Sequence, residues 1–118
     1  MNKEYVEQIR SLLDSLGLPH QWHSYLTVPT GVHRFATYYI PSMSFGGDDL
    51  RAQYFDYSLD VSIHTRKYFN DEDMEFEEGF EELLRPYAKF TKTSGYDSEH
   101  DLFTSTYHFS FKEFFTGE

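Results

Sequence analysis

Between residues 2 and 16, apolar side chains recur at Tyr5, Val6, Ile9, Leu12, Leu13 and Leu16, with Glu4, Glu7, Gln8, Arg10 and Asp14 between them. Steps of three and four residues line up the apolar groups on one side of an α-helix. Asn2 stands where it can cap the start of that helix, and Gly17 followed by Pro19 is a stop signal. The next stretch, LPHQWHSYLTVPTGVH, carries two prolines and a glycine and keeps no period. It reads as a connection that packs Trp22 and Tyr25 against the core, with room for a short extended piece.

From residue 34 the pattern changes. RFATYYIPSM, residues 34 to 43, is β-branched and aromatic and predicts a strand, weakened at its far end by Pro41 because proline has no amide hydrogen to give the ladder. In QYFDYSLDVSIHT the period is two: Phe55, Tyr57, Leu59, Val61 and Ile63 alternate with Asp56, Ser58, Asp60, Ser62 and His64. That is a strand with one buried face and one face left to water or a partner. DEDMEFEEGFEELLR, residues 71 to 85, returns to helical spacing, with Met74, Phe76, Phe80, Leu83 and Leu84 on the apolar stripe and Pro86 to end it. YAKFTKT and LFTSTYHFSFKEFF then read as strands joined by the polar turn SGYDSEHD, and Phe103, Tyr107, Phe109 and Phe111 alternate in the last of them. The predicted order is α-β-β-α-β-β. It describes a single α+β domain over residues 1–118, a mainly antiparallel sheet flanked by two helices, with Leu59, Val61, Phe80, Leu83 and Phe109 in one core.

Composition sharpens this picture. At 118 residues the chain has room for one core, and its 12 Phe, 10 Tyr and 1 Trp make that core aromatic. There are no cysteines, so disulfide frameworks, zinc knuckles and thiol nucleophiles are excluded. No apolar run reaches the roughly 18 residues of a membrane span, and MNKEYVEQIR leads into no apolar signal core, so a soluble cytoplasmic product is expected. The formal charge of -10 argues against nonspecific binding to nucleic acid or anionic lipid, which reward a basic surface. Eight acids crowd residues 71 to 82. Those in the first turn suit the helix dipole, while the rest repel one another and require an apolar face or basic neighbours to hold the helix.

Several groups are candidates for chemistry. Gly46, Gly47, Asp48 and Asp49 lie between two predicted strands, where glycine and aspartate commonly form a hairpin tip. The motif is similar to the Gly-Gly-acid-Glu-Phe hairpin of diguanylate cyclases, but Asp49 and Leu50 stand where that family needs Glu and Phe, and the chain is too short for the cyclase domain. His20 and His23, with His33 nearby, have a spacing open to metal ligation, without a cysteine or ordered carboxylate to complete the set. His64 and His108 fall on polar strand faces, within reach of Asp56, Asp60 or Glu113 across the sheet; a catalytic pair is one reading, and cross-strand hydroxyl pairing is the other. The acidic helix lacks the spacing of a calcium loop and reads as a solvated or lumen-facing charge run. No metal, cofactor or catalytic residue is assigned.

Taken together, the N-terminal helix 2 to 16, FATYYIPSMSF, YFDYSLDVSIHT, DMEFEEGFEELL, and AKFTKTSG paired with STYHFSFKEF resemble the small tail terminator and tail completion proteins of long-tailed bacteriophages and prophages. The resemblance is one of layout across nearly the whole chain. It implies a structural virion protein, not an enzyme: six copies form a ring on the end of the tail tube, stop tube growth and join tail to head. Implied partners are other copies of the chain, the major tail tube protein and the head-completion or connector protein, with DNA only as passing cargo and no membrane. On this reading Tyr38, Tyr39, Phe45, Gly46, Gly47, Asp48, Asp49 and Phe55 form the subunit or tube interface. The rival classes are a small ligand-binding or enzymatic domain with an aromatic-lined pocket, and a generic acidic host-interaction or antitoxin-like protein. If residues 44 to 52 are a hairpin tip, the chain binds neither nucleotide nor divalent metal there. Isothermal titration of the native chain should show no such binding; a micromolar affinity that disappears in the Asp48→Ala/Asp49→Ala double variant overturns the hairpin reading.

Overall fold

The computed structural model describes residues 3–22, 31–47, 52–66, 70–86 and 89–116, with side chains outside 3–6, 41–47, 52–55 and 112–116. The described elements are α1 (Lys3–Ser15), β1 (His20–Trp22), β2 (Arg34–Gly47), β3 (Ala52–Arg66), α2 (Asp71–Leu84), β4 (Phe90–Asp97) and β5 (Leu102–Thr116). The expected order therefore gains a strand. His20–Trp22, inside the segment read as a connection, pairs with Ala36–Tyr38 of β2 in parallel. It is launched by the end of α1: Gly17 at φ 70° closes the helix, its N–H donates to Asp14 O at 3.0 Å, and Leu18 N–H donates to Leu13 O at 3.1 Å. This paired closure satisfies helix carbonyls and turns the chain. Pro19 O then accepts from Ala36 N–H at 2.8 Å, which fixes the register of the new strand.

The sheet order is β1-β2-β3-β5-β4, antiparallel everywhere except at β1. Pro41 does not end β2. The strand runs on to Gly47 through an irregularity in which Tyr39 pairs with Asp60 and Ser42 with Ser58, so Ile40 and Pro41 together face the one residue Leu59. A bulge is where a residue without an N–H can sit inside a strand. At the far edge, β4 extends through Ser94–Asp97, which the sequence pattern had placed in the turn; the turn itself is residues 98–101, with Asp101 at φ 53°.

Both helices cover one face of the sheet. Ile9 and Leu13 of α1, Phe80 and Leu84 of α2, and Leu18 pack with Ala36, Tyr38, Leu59, Val61, Ile63, Tyr107 and Phe109 in one core. Aromatic rings hold its centre by edge contacts, with Phe80 and Phe90 each about perpendicular to Tyr107 at 5.2 and 5.3 Å. Four of the five expected core residues are there. The fifth, Leu83, is 44% exposed, and Met74 is 49% exposed, because α2 is rotated from the predicted phase. Its buried residues are Asp73, Glu77, Phe80 and Leu84. No helix among the described residues is long and apolar enough to cross a membrane.

The helices cover only part of the sheet's length. Strands β3 and β5 are paired from Arg66↔Leu102 to Ala52↔Thr116, and β2 pairs with β3 as far as Gly47↔Gln53. At about 3.3 Å per residue, 15-residue strands span about 50 Å, which matches the 52 Å long axis of the molecule. Its radius of gyration is 16.2 Å, against about 13–14 Å for a compact domain of this length. The excess comes from a three-stranded arm that continues beyond the last core residues of β2, β3 and β5. The rotation of α2 is open to a direct check by urea unfolding. Leu84→Ala should cost about 2–5 kcal/mol, and Leu83→Ala, at an exposed position, less than about 0.5 kcal/mol; equal losses would mean the helix faces the sheet differently.

Candidate functional site

Two carboxylates point into the helix–sheet layer, not into solvent. Asp73 closes the start of α2: Asn70 Oδ1 accepts from Asp73 N–H, and Asp73 Oδ2 accepts from Asn70 N–H, both at 3.1 Å. The same carboxylate accepts from the Arg34 guanidinium on β2 and lies 3.0 Å from His33 Nε2. Burial would raise its pKa, but the Asn70 amide, His33 and the Arg34 charge outweigh burial and hold it below the usual carboxylate value. One turn later, Glu77 meets Lys92 Nζ of β4 at 2.5 Å, accepts from Ser105 Oγ of β5 at 2.8 Å, and lies 3.4 Å from the Tyr107 hydroxyl. Burial would lower the Lys92 pKa; Glu77 and Glu81 more than reverse this and raise it. Burial and the charges of those two glutamates push the Tyr107 hydroxyl pKa up. Arg34 also lies 3.9 Å over the ring centre of Phe76, a cation–π contact that covers the ion pair on its outer side. Two acids expected on a solvated charge run are thus structural; Glu75, Glu78 and Glu82 stay exposed as expected.

The other face of the sheet has no helix over it among the described residues, and a polar network crosses it. His64 of β3 is held from both sides, with Nε2 2.9 Å from Thr37 Oγ1 of β2 and Nδ1 2.9 Å from Thr104 Oγ1 of β5. Phe35 stacks on its ring at 4.9 Å. Burial lowers the His64 pKa to about 4, so the imidazole is neutral, donating its one N–H to one threonine hydroxyl and accepting from the other. Beside it, Ser62 Oγ and Thr106 Oγ1 are 2.8 Å apart. Further along, Asp60 Oδ1 lies 2.8 Å from His108 Nδ1, and His108 Nε2 lies 3.1 Å from Thr93 Oγ1 of β4. Three strands thus bring an acid, an imidazole and a hydroxyl into line.

On the polar face His108 neighbours Asp60, one of the acids expected within its reach, His64 neighbours two threonine hydroxyls, and Ser62 with Thr106 forms an expected cross-strand hydroxyl pair. Thr93 went unremarked in the sequence. Its signal was alternation: with Phe90 and Lys92 facing the helices, Thr91 and Thr93 must face away. Of the three histidines with spacing open to metal ligation, the two that are described each pair with a different aspartate. His20 Nε2 pairs with Asp14 at 2.6 Å, His33 pairs with Asp73, and His23 lies outside the described residues. Asp97, Glu99 and His100 do cluster at the β4–β5 turn, all exposed, with His100 Nδ1 2.7 Å from Asp97; that hydrogen bond raises the His100 pKa and lowers that of Asp97.

Of the proposed interface residues, Tyr38 is not exposed. It faces the helix layer at 4% exposure, with its ring 5.3 Å from Trp22 and 5.8 Å from His20. Its position two residues along the strand from core Ala36 fixes that direction. Tyr39 is half-buried on the open face. Phe45 pairs with Phe55, Gly46 with Tyr54 and Gly47 with Gln53 in the arm. Asp48 and Asp49 lie outside the described residues.

The sequence matches no protein-family model and no curated protein. The site's physical behaviour is therefore its own test. The folded pKa of His64 lies below its unfolded value, so between about pH 6.5 and 4 the unfolded chain binds the extra proton and stability falls as pH falls. The full loss is about 3 kcal/mol. Unfolding free energies of the native chain and His64→Gln across pH 7 to 4 should converge as pH drops, and parallel curves would show that His64 is not held neutral.

Proposed function

We propose that the chain is a structural virion protein of a long-tailed bacteriophage or prophage, forming a six-membered ring that ends the tail tube and joins it to the head. The observation that carries this reading is the three-stranded arm. Residues 42–47, 52–56 and 112–116 are paired to one another in long ladders while the core residues that anchor the helices stop short of them. The helices and the core residues packed under them lie elsewhere along the sheet. The arm's stability and purpose are accounted for if a neighbouring subunit or the tube covers it.

Ring closure needs two different patches on each subunit, one for each neighbour, related by a rotation that closes. The arm, with Phe45, Gly46, Gly47 and Phe55, supplies one. The opposite end of the molecule supplies the other. Aromatic residues are enriched in interface cores, which suits an arm of this composition. The charge supports the same reading, since Glu72, Glu75, Glu78 and Glu82 project from α2 and the total is -10, so DNA passing through the ring would not adhere. Partners on this reading are the chain itself, the major tail tube protein and the head-completion or connector protein, and the place is the virion neck.

The test is a phage carrying a deletion of residues 46 to 50. The isolated variant should keep its circular dichroism spectrum and unfolding midpoint, because the core lies elsewhere. Electron microscopy should then show tubes of uncontrolled length without heads. Tails of normal length joined to heads would overturn both the ring assignment and the role of the arm.

A further inference from the structure

Asp60, His108 and Thr93 come from three strands and from positions far apart in the chain, yet they form one directed chain of hydrogen bonds. Asp60 is 7% exposed and its oxygen lies 2.8 Å from His108 Nδ1. A carboxylate there accepts a hydrogen bond from Nδ1–H and so holds the proton on Nδ1, which leaves Nε2 as an acceptor. That nitrogen faces the Thr93 hydroxyl at 3.1 Å, so the hydroxyl donates to an imidazole oriented by a buried acid. Orienting acid, base and hydroxyl in this sequence are what activates an oxygen nucleophile. The neighbouring His64 supplies the contrast. Both of its nitrogens are tied to threonines, and its described contacts include no carboxylate. A purely structural histidine on this face looks like His64; His108 does not.

A hollow of about 380 Å³ adjoins the Thr93 hydroxyl, walled by Thr104, Thr106, Gly95 and Asp97. It exists because the strand carries no side chain at Gly95, where an added Cβ would meet nothing within 4 Å. The volume is at the lower end of the range for small-molecule sites. The hollow is shallow and open, and more of its lining, which includes Tyr96 as well as Asp97, is apolar than polar; that disfavours anions and suits a small uncharged ester. We propose that Thr93 is a nucleophile for short-chain carboxylic esters, with His108 as its general base and Asp60 as the positioning residue. This activity is separate from ring assembly and does not depend on it.

In the reaction, Thr93 Oγ1 bonds to the ester carbonyl carbon as His108 Nε2 takes the hydroxyl proton. The bond from that carbon to the leaving oxygen breaks, and His108 returns the proton to the departing alcohol. Water, deprotonated in turn by His108, attacks the acyl-threonine, releases the carboxylic acid and restores the Thr93 hydroxyl. No oxidant, reductant or metal enters the balance.

The experiment uses the full chain with 4-nitrophenyl acetate, reading nitrophenol release and the site of acetylation by peptide mass mapping. Thr93 should carry the acetyl group, with release following a burst. General-base assistance is worth about 100-fold or more, so His108→Gln should lose Thr93 acetylation by about that factor, and Asp60→Asn should lose most of it. Thr93→Ser should keep the activity. His100→Gln, at the exposed turn, should leave it unchanged. Should either replacement on β3 or β5 disturb folding, Thr93→Val on the exposed edge strand remains as the decisive variant, and it should abolish the burst while keeping the native spectrum. Acetyl groups found only on lysines or the N-terminus, a burst that survives Thr93→Val, or Thr93 labelling unchanged in a folded His108→Gln variant would each overturn the assignment.

Discussion

The fold depends on the way α2 turns its acids inward. In a chain with 20 acids against 10 bases, the ion pairs Asp73–Arg34 and Glu77–Lys92 join the helix to both sides of the sheet, one to β2 and one to β4. Each carboxylate is also satisfied by neutral donors, the Asn70 amide at one and the Ser105 hydroxyl at the other. That matters because removing one partner of a buried pair strands a charge and costs about 3–5 kcal/mol, whereas a pair with every lone pair occupied is sustained. The pairs also specify rotation and register. A helix seated by Phe80 and Leu84 alone could slide or turn on an aromatic surface, and two directed charge contacts one turn apart forbid it.

The two sides of the sheet solve the same problem with different materials. Under the helices, alternate residues of β3 and β5 are mostly apolar and aromatic, and the hydroxyls of Ser105 and Tyr107 there are drawn into the contacts of Glu77. On the open side the same strands present serine, threonine, histidine and aspartate, and neighbouring strands satisfy one another through hydroxyls. A rotating hydroxyl can donate or accept, so it can meet an imidazole in either tautomer. Aspartate cannot, and where it enters the row at Asp60 it sets the direction of every proton downstream. The difference between His64 and His108 is thus the difference between a threonine and an aspartate across the strand.

Much of this was legible in the sequence. Period-two alternation located β3 and β5 and their buried residues, because backbone geometry makes the side assignment strict. The stop signal at Gly17 also held. The phase of α2 was not legible from apolar spacing alone: Met74 and Leu83 compete with Leu84 for the stripe, and the true stripe includes Asp73 and Glu77, which a hydrophobic reading assigns to solvent. The missing information lay in other strands, at Arg34 and Lys92, bases on strand positions that face the helices. Strand β1 escaped because three residues carry too little period to register. Asp60 and His108 were visible as neighbours in principle, but only the strand order, with β5 between β3 and β4, adds Thr93 to them.

The bulge at Ile40 and Pro41 has a consequence for the behaviour of the free molecule. Strand β1 covers only Ala36–Tyr38, so among the described residues the outer edge of β2 from Tyr39 to Gly47 has no strand beside it. A long bare edge of this kind is a template for fibril growth and for indiscriminate strand addition. Pro41 has no N–H to offer a neighbouring strand, and the doubled residue opposite Leu59 breaks the spacing of β2 and increases its twist. An extended peptide laid against β2 beyond β1 would therefore lose register within a few residues. The bare border of β2 is thus interrupted near the root of the arm, which opposes its pairing with other chains.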